Sequence, residues 1–331
     1  MPRGRGVEAG VAALGPGHSL VRPGLETYCQ SRGLAVPAEI PWFVVEHMDR
    51  EMSTVTRIRA DLLGGHVIDC FLKTFRPVER VAMSRRVRER IERAPWLFEA
   101  AAASPRFAGF GVPEVLSWDA DLLSLMTLAL PGRPLGKAWT HVLRPSRARR
   151  LFGAVGGAMS ALEGLSAGTT GPDEYLRDES IRKAIDALVL HLPRERAAGA
   201  RAAFESVHRS FQADPGPSYY CHGDVNHSNV LVDGNVVNLI DFDLSPRPVG
   251  FDVAMFLMRL ELERPTVPAW TRVVSNHVLA GYGNPDVIRS PAYQLIRLVK
   301  LSGSLTRHVD RGNTKRAAKF LAGIESTLST I

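Results

Sequence analysis

Cysteine is scarce: Cys29, Cys70 and Cys221 are the only three in 331 residues. Odd in number and widely scattered, they fit neither a disulfide framework nor the paired CxxC spacing of a zinc site. A reducing, cytoplasmic setting is the simplest reading of that pattern. Long apolar runs are also missing, and the stretches that exist are too short and too interrupted for a membrane span. In "MPRGRGVEAGVAALGPGHSL" glycine and proline break the apolar stretch before it reaches the length of a secretory segment. Neither export nor a membrane partner is expected. There is no internal repeat, and "GRPLGKA" falls short of a P-loop. Pro131 stands where the first glycine belongs, and Ala138 replaces the hydroxyl residue that binds magnesium.

With 45% hydrophobic and 23% charged residues the composition is that of a globular protein, and the length favours two lobes or domains. The net charge of +7 permits nucleic acid, phosphate or an anionic surface as partner, but does not choose among them. The arginines of "RRVRERIERAPWLFEA" interleave with glutamates at helical spacing, which makes a solvated, self-paired face. No nucleic-acid partner is expected from them.

Residues 1–36 are rich in Gly, Pro and Ala and read as a partly ordered N-terminal extension with one short helix around "LETYCQSRG". Three strands follow, "EIPWFVVEHM", "STVTRIRADL" and "HVIDCFLKTF", with Gly64 and Gly65 turning the last pair. An arginine-rich helical segment over 78–103 is interrupted by Pro95. "GVPEVLSWD" and "LLSLMTLAL" supply two more strands. "PGRPLG", residues 131–136, has the density of Pro and Gly of a connection and closes a first lobe over 37–131. Residues 132–331 read as a mainly helical second lobe, with Ser146 capping a helix that ends near Gly168.

That helical region is interrupted by "YYCHGDVNHSNVLVDGNVVNLIDFD". An irregular polar loop carries Asp224 and Asn229, the β-run "VLV" follows, and the turn "DGN" returns the chain as "VVNLIDFD". Antiparallel pairing brings Asn229 near Asp241. An amide oxygen beside a carboxylate suits magnesium, which takes hard oxygen ligands and leaves positions for water and phosphate. Asp224 then sits where a base accepting a proton from a substrate hydroxyl belongs in phosphoryl transfer. Each of these residues alone is ordinary hairpin chemistry; the joint spacing separates the two readings. Asp243 either assists the metal or caps the next turn, and the cap is preferred.

The segment resembles the catalytic loop and metal hairpin of the aminoglycoside phosphotransferase and choline kinase group, relatives of the protein kinases. His222-Gly223-Asp224 with Asn229, then Ile240-Asp241-Phe242-Asp243, stand where protein kinases have H-R-D-x-x-x-x-N and D-F-G. The resemblance implies a bilobal protein-kinase-like α+β fold, an antiparallel N-lobe and a mainly helical C-lobe. It implies ATP and Mg2+ as cofactors, Asp224 as base, Asn229 and Asp241 as metal ligands, and His222 as a brace of the loop. Asp252, which also suits a helix cap, is structural by the same resemblance, since such kinases commonly carry a Gly and an Asp here to brace the catalytic loop.

The same resemblance makes Lys73, the only lysine in any first-lobe strand, the cation for the nucleotide phosphates. Its glutamate partner comes from the following helix, among Glu89, Glu92 and Glu99, with Glu92 preferred. Ser53 and Thr54 in "DREMST" offer hydroxyls and backbone N–H groups to phosphates where a glycine-rich loop is absent. The reaction implied is phosphoryl transfer from ATP to a hydroxyl of a small molecule. The alternatives are a kinase-like scaffold without catalysis, a protein kinase, which the missing activation loop disfavours, or a basic nucleic-acid-binding protein. Between Arg297 and Lys319 seven bases meet the single acid Asp310, which points away from a polycationic aminoglycoside as acceptor.

Overall fold

The computed structural model describes residues 15–77, 81–138, 145–166, 176–263 and 268–331. The helix end expected near Gly168 lies outside the described residues. The chain divides into two compact units, Met1–Pro131 and Gly132–Ile331.

In the first unit, helix α1 (Val21–Ser31) precedes strands β1 (Trp42–Asp49), β2 (Ser53–Asp61) and β3 (Val67–Phe75). Helix α2 (Val81–Ala103) follows, then β4 (Val115–Asp119) and β5 (Ser124–Leu128). They form an antiparallel sheet in the order β1-β2-β3-β5-β4. Alternation along the strands gives this sheet a buried face of Ile58, Ala60, Ile68, Cys70, Leu72 and Met126. Leu20, Val21, Leu25 and Cys29 close that face, so residues 15–31 belong to the unit's core and are no loose extension. The reason is spacing: Val21, Leu25 and Cys29 fall on one helical stripe. Gly24 lets the helix approach, since a Cβ there would meet Met126 Sδ at 2.8 Å. Between β2 and β3 both Gly64 and Gly65 have φ +79°, a backbone conformation that glycine adopts without strain.

Pro95 does not interrupt α2, which runs through it. Buried Ile91, Leu97 and Ala101 on either side of the proline hold the helix together, and outweigh the missing N–H.

In the second unit, β6 (Arg133–Pro134) leads to helices α3 (Pro145–Ser166), α4 (Asp178–His191) and α5 (Arg194–Ala213). Strands β7 (Ser218–Tyr220), β8 (Val230–Asp233), β9 (Val236–Leu239) and β10 (Pro246–Pro248) follow. Helices α6 (Phe251–Glu263), α7 (Pro268–Tyr282), α8 (Pro291–Asp310) and α9 (Thr314–Leu328) complete it. "PGRPLG" is thus more than a connection, because Arg133 and Pro134 pair with Val232 and Leu231 at the edge of the β8–β9 hairpin. Ser146 lies inside α3 and does not cap it. Helices α3 and α7 touch through glycine: a Cβ on Gly281 would lie 1.9 Å from Gly153 O, and one on Gly156 2.0 Å from Val278 O. No helix among the described residues is long and apolar enough to cross a membrane.

Candidate active site

The second unit brings a loop, a hairpin and helix α6 together at Asp224. The paired strands β7 and β10 fix the loop's entrance, with Tyr219 opposite Arg247. Gly223 has φ +79°, and a Cβ there would meet Asp243 Cβ at 2.6 Å, so the loop crosses the segment after β9 at a point only glycine tolerates. His222 is completely buried. Its Nε2 lies 2.8 Å from Ile240 O, which can only accept, so Nε2 carries the hydrogen and Nδ1 is left to accept from Asp224 N. Burial lowers the pKa of this histidine, consistent with a neutral ring. The ring also packs on Phe242, centroids 4.5 Å apart.

Asp252 is the loop's second fixture. Buried at the start of α6, it accepts from His222 N at 2.8 Å and from Gly223 N at 2.9 Å. The carboxylate thus supports the loop that carries Asp224, with both oxygens on amides of that segment and not on its own helix. Beneath it lies a group with no signal in the sequence. Glu163 on α3 is buried, accepts from Gly250 N at 2.7 Å and from the Tyr282 hydroxyl on α7. The Tyr219 hydroxyl accepts from Asp252 N. Desolvation pushes the Glu163 carboxyl from 4.5 to about 7 and also raises that of Asp252.

Above these fixtures the Asp224 side chain is 45% exposed. Its Oδ2 accepts from Asn226 Nδ2 at 3.2 Å and Asn229 Nδ2 at 3.1 Å. Its Oδ1 accepts from Arg259 Nη2 on α6 at 2.5 Å. Three donors leave a lone pair of the carboxylate for a fourth. Asn226 also accepts from Ser228 N and Asn229 N through Oδ1, a side-chain turn that sets the spacing from Asp224 to Asn229. The D-x-N pattern carries a signal for Asn226; Arg259, on a helix 35 positions away, has none.

Asn229 and Asp241 flank the hairpin, where Ile240 N donates to Asn229 O at 3.0 Å. Asn229 Nδ2 donates to Asp224, both backbone and side chain, which leaves its Oδ1, a hard oxygen, for a cation. Asp241 holds φ +65°, a strained conformation of the kind that persists at functional sites. One amide oxygen and one carboxylate fit magnesium, which keeps several waters and phosphate oxygens in its shell. Among the described residues no three His, Cys, Asp or Glu side chains form a metal-holding group. Asp243 serves the turn, accepting from Ser245 Oγ at 2.6 Å.

In the first unit, Lys73 pairs across the sheet with Val55 and stands 4.8 Å from the centre of the Phe75 ring. Register places Ser53, Val55 and Lys73 on one face, but Thr54, opposite Thr74, on the other. Thr54 therefore does not present its hydroxyl beside Lys73, and Ser53 is buried at the first position of β2. Glu92 is exposed and is not brought to Lys73: the stripe of α2 that contains Ile91 turns inward, one position on points outward, and Glu92 has no ion pair among the described residues. Arg90 is the α2 side chain that shares the Phe75 ring, at 4.9 Å, while Glu89 pairs with Arg93 at 3.0 Å.

Over residues 65–287 the chain matches the family model described as the phosphotransferase enzyme family. No curated protein matches it. Solved structures similar to it include the apo form of a thermostable mutant of aminoglycoside phosphotransferase APH(4)-Ia. That likeness has a TM-score of 0.55 and 15% identity, over 92% of this chain and 98% of that one. A ternary complex of such a mutant with ADP and hygromycin B gives 0.54 and 15%, over 92% and 97%. Glucosamine kinase gives 0.51 and 15%, over 90% and 92%. At this identity the likeness is one of fold, the protein-kinase-like α+β architecture.

Proposed function

The chain belongs to the phosphotransferase enzyme family, and from that premise we propose that it moves the γ-phosphoryl group of ATP to a hydroxyl of a small molecule such as a sugar, an antibiotic or another natural product. The observation that carries the reading is the Asp224 carboxylate, half-exposed and held by Asn226, Asn229 and Arg259 above a buried support. A base that must accept a proton needs such a fixed orientation with one lone pair open. The acceptor oxygen bonds to the γ-phosphorus as the bond from that phosphorus to its bridging oxygen breaks. ADP leaves, and the hydroxyl proton passes to Asp224. Asn229 Oδ1 and the Asp241 carboxylate would hold magnesium, which would supply neutralisation of charge on the phosphates. Lys73 adds a further cation for the nucleotide, and Ser53 a backbone N–H.

The test is magnesium-dependent binding of ADP, measured by calorimetry. Asp241→Asn is expected to weaken binding in magnesium at least tenfold and to leave the weak metal-free binding unchanged. Equal affinity of wild type and variant in magnesium removes Asp241 from the metal site.

A further inference from the structure

The lone-pair directions of the Asp224 carboxylate are unequally filled. Oδ2 accepts from both Asn226 Nδ2 and Asn229 Nδ2, which occupies it. Oδ1 accepts from Arg259 Nη2 alone, at 2.5 Å. The open direction is therefore on Oδ1, the oxygen that Arg259 already holds. A hydroxyl that gives its proton to Asp224 must dock there, and two partners of one carboxylate oxygen stand roughly 4–5 Å apart. The same hydroxyl oxygen attacks phosphorus, from a starting separation of about 3–3.5 Å. Arg259 thus stands beside the path of transfer, whatever molecule carries the hydroxyl.

Most of the guanidinium is unused. Apart from its bond to Asp224, Arg259 makes no hydrogen bond or ion pair among the described residues. Its side chain is 23% exposed, and none of its nitrogens is both buried and unpartnered. The remaining N–H groups of the fork therefore reach the solvent beside the base. Glu261, the other acid close to it along α6, is taken by Arg297 at 2.8 Å.

At rest the one anion that Arg259 meets is the Asp224 carboxylate. As the acceptor oxygen bonds to the γ-phosphorus and the bond from phosphorus to the bridging oxygen of ADP breaks, the hydroxyl proton passes to Oδ1 and cancels that charge. The guanidinium loses its anion in the step that brings the negatively charged phosphoryl oxygens next to it. A cation that exchanges partners in this way binds the reacting group more strongly during transfer than before it, and such differential binding is what accelerates a step.

We infer that Arg259 is a catalytic residue: its unused N–H groups hold the oxygens of the phosphoryl group in transfer while Nη2 keeps Asp224 in place, as an arginine supplied in cis does in other phosphotransfer sites. This rests on the phosphotransfer reading above, and adds to it a cation from the same unit as the base.

The test is calorimetry on the full chain with ADP and magnesium, with and without aluminium fluoride, whose complex with ADP mimics the phosphoryl group in transfer. Wild type is expected to bind ADP at least tenfold more tightly when the fluoride is present. Arg259→Met is expected to lose that gain, with its affinity for ADP and magnesium unchanged. Arg259→Lys keeps a cation on Asp224 but lacks the planar fork, and is expected to lose most of the gain. Asp224→Ala removes the group that Arg259 orients and is expected to retain the gain, because the mimic takes part in no proton transfer. No gain in wild type, or a gain kept in full by Arg259→Met or Arg259→Lys, overturns the assignment. So does a gain lost in Asp224→Ala, which makes Arg259 a positioning residue that acts only through the base. Failure of wild type to bind ADP in magnesium removes the phosphotransfer reading itself, and Arg259 with it.

Discussion

The loop that carries Asp224 has two carboxylate regions of opposite character, one on each side of its backbone. On the outer side Asp224 is half-exposed and surrounded by amide and guanidinium donors. On the inner side Asp252 and Glu163 are buried and serve backbone N–H groups and tyrosine hydroxyls. The outer carboxylate is placed where it can exchange a proton with a ligand. The inner ones are placed where exchange with solvent is shut off and their geometry is the product. The difference shows why one loop needs both: a base oriented to within a few tenths of an ångström requires a rigid bed, and a rigid bed excludes the water that a base must meet.

Substitutions should separate the two regions. Asp224→Asn keeps the shape of the loop and removes the proton acceptor, so kcat is expected to fall by about 10²–10⁴ with the melting temperature and nucleotide affinity unchanged. A matching loss of melting temperature would place Asp224 with the supports. Asp252→Ala leaves His222 N and Gly223 N without acceptors, at a stability cost of about 3 kcal/mol, measurable in a denaturant titration, and lowers kcat as well. A stable but inactive protein would contradict the assignment of Asp252 to the bed.

Glu163→Gln is the mildest change and the sharpest in pH. The folded chain binds a proton on Glu163 up to about pH 7, the unfolded chain only up to about 4.5. More protons are bound folded than unfolded in that window, so the contribution of Glu163 to stability is full below about 4.5, declines as pH rises, and is flat above about 7. The span is on the order of 3 kcal/mol or less. The difference between wild type and Glu163→Gln reports it, together with the part of the Asp252 shift that the Glu163 charge causes. A pH-independent difference would mean that Glu163 titrates as an ordinary carboxyl.

The loop and hairpin around Asp224 were legible in the sequence because they are local, whereas Arg259, 35 positions away on α6, was not. His222, Asp224, Asn229 and Asp241 lie within twenty positions, and turn chemistry with a two-strand hairpin places them. Of the inner region only Asp252 was legible, through the resemblance; Glu163 was not, because it is 87 positions from Gly250 and 119 from Tyr282, and no spacing records a contact made by helices crossing through Gly153 and Gly281. In the first unit the strands could be read from alternation, yet the parity of the pleat put Thr54 on the wrong face for its expected role. Helical phase likewise turned Glu92 outward: a list of glutamates at helical spacing does not say which faces the sheet until the buried stripe through Ile91 is known. In the first residues the helix around "LETYCQSRG" was legible, but Gly and Pro density concealed that it packs into the core, where its glycine permits the close approach.

The most direct test of phosphoryl transfer follows the label of γ-³²P ATP in the presence of magnesium and a panel of hydroxyl compounds, anionic and neutral sugars, hydroxy acids and natural products. The predicted result is label in at least one small molecule, formed in step with ADP and absent with Asp224→Asn. Label that appears in no compound, or at the same rate in wild type and Asp224→Asn, would contradict the account.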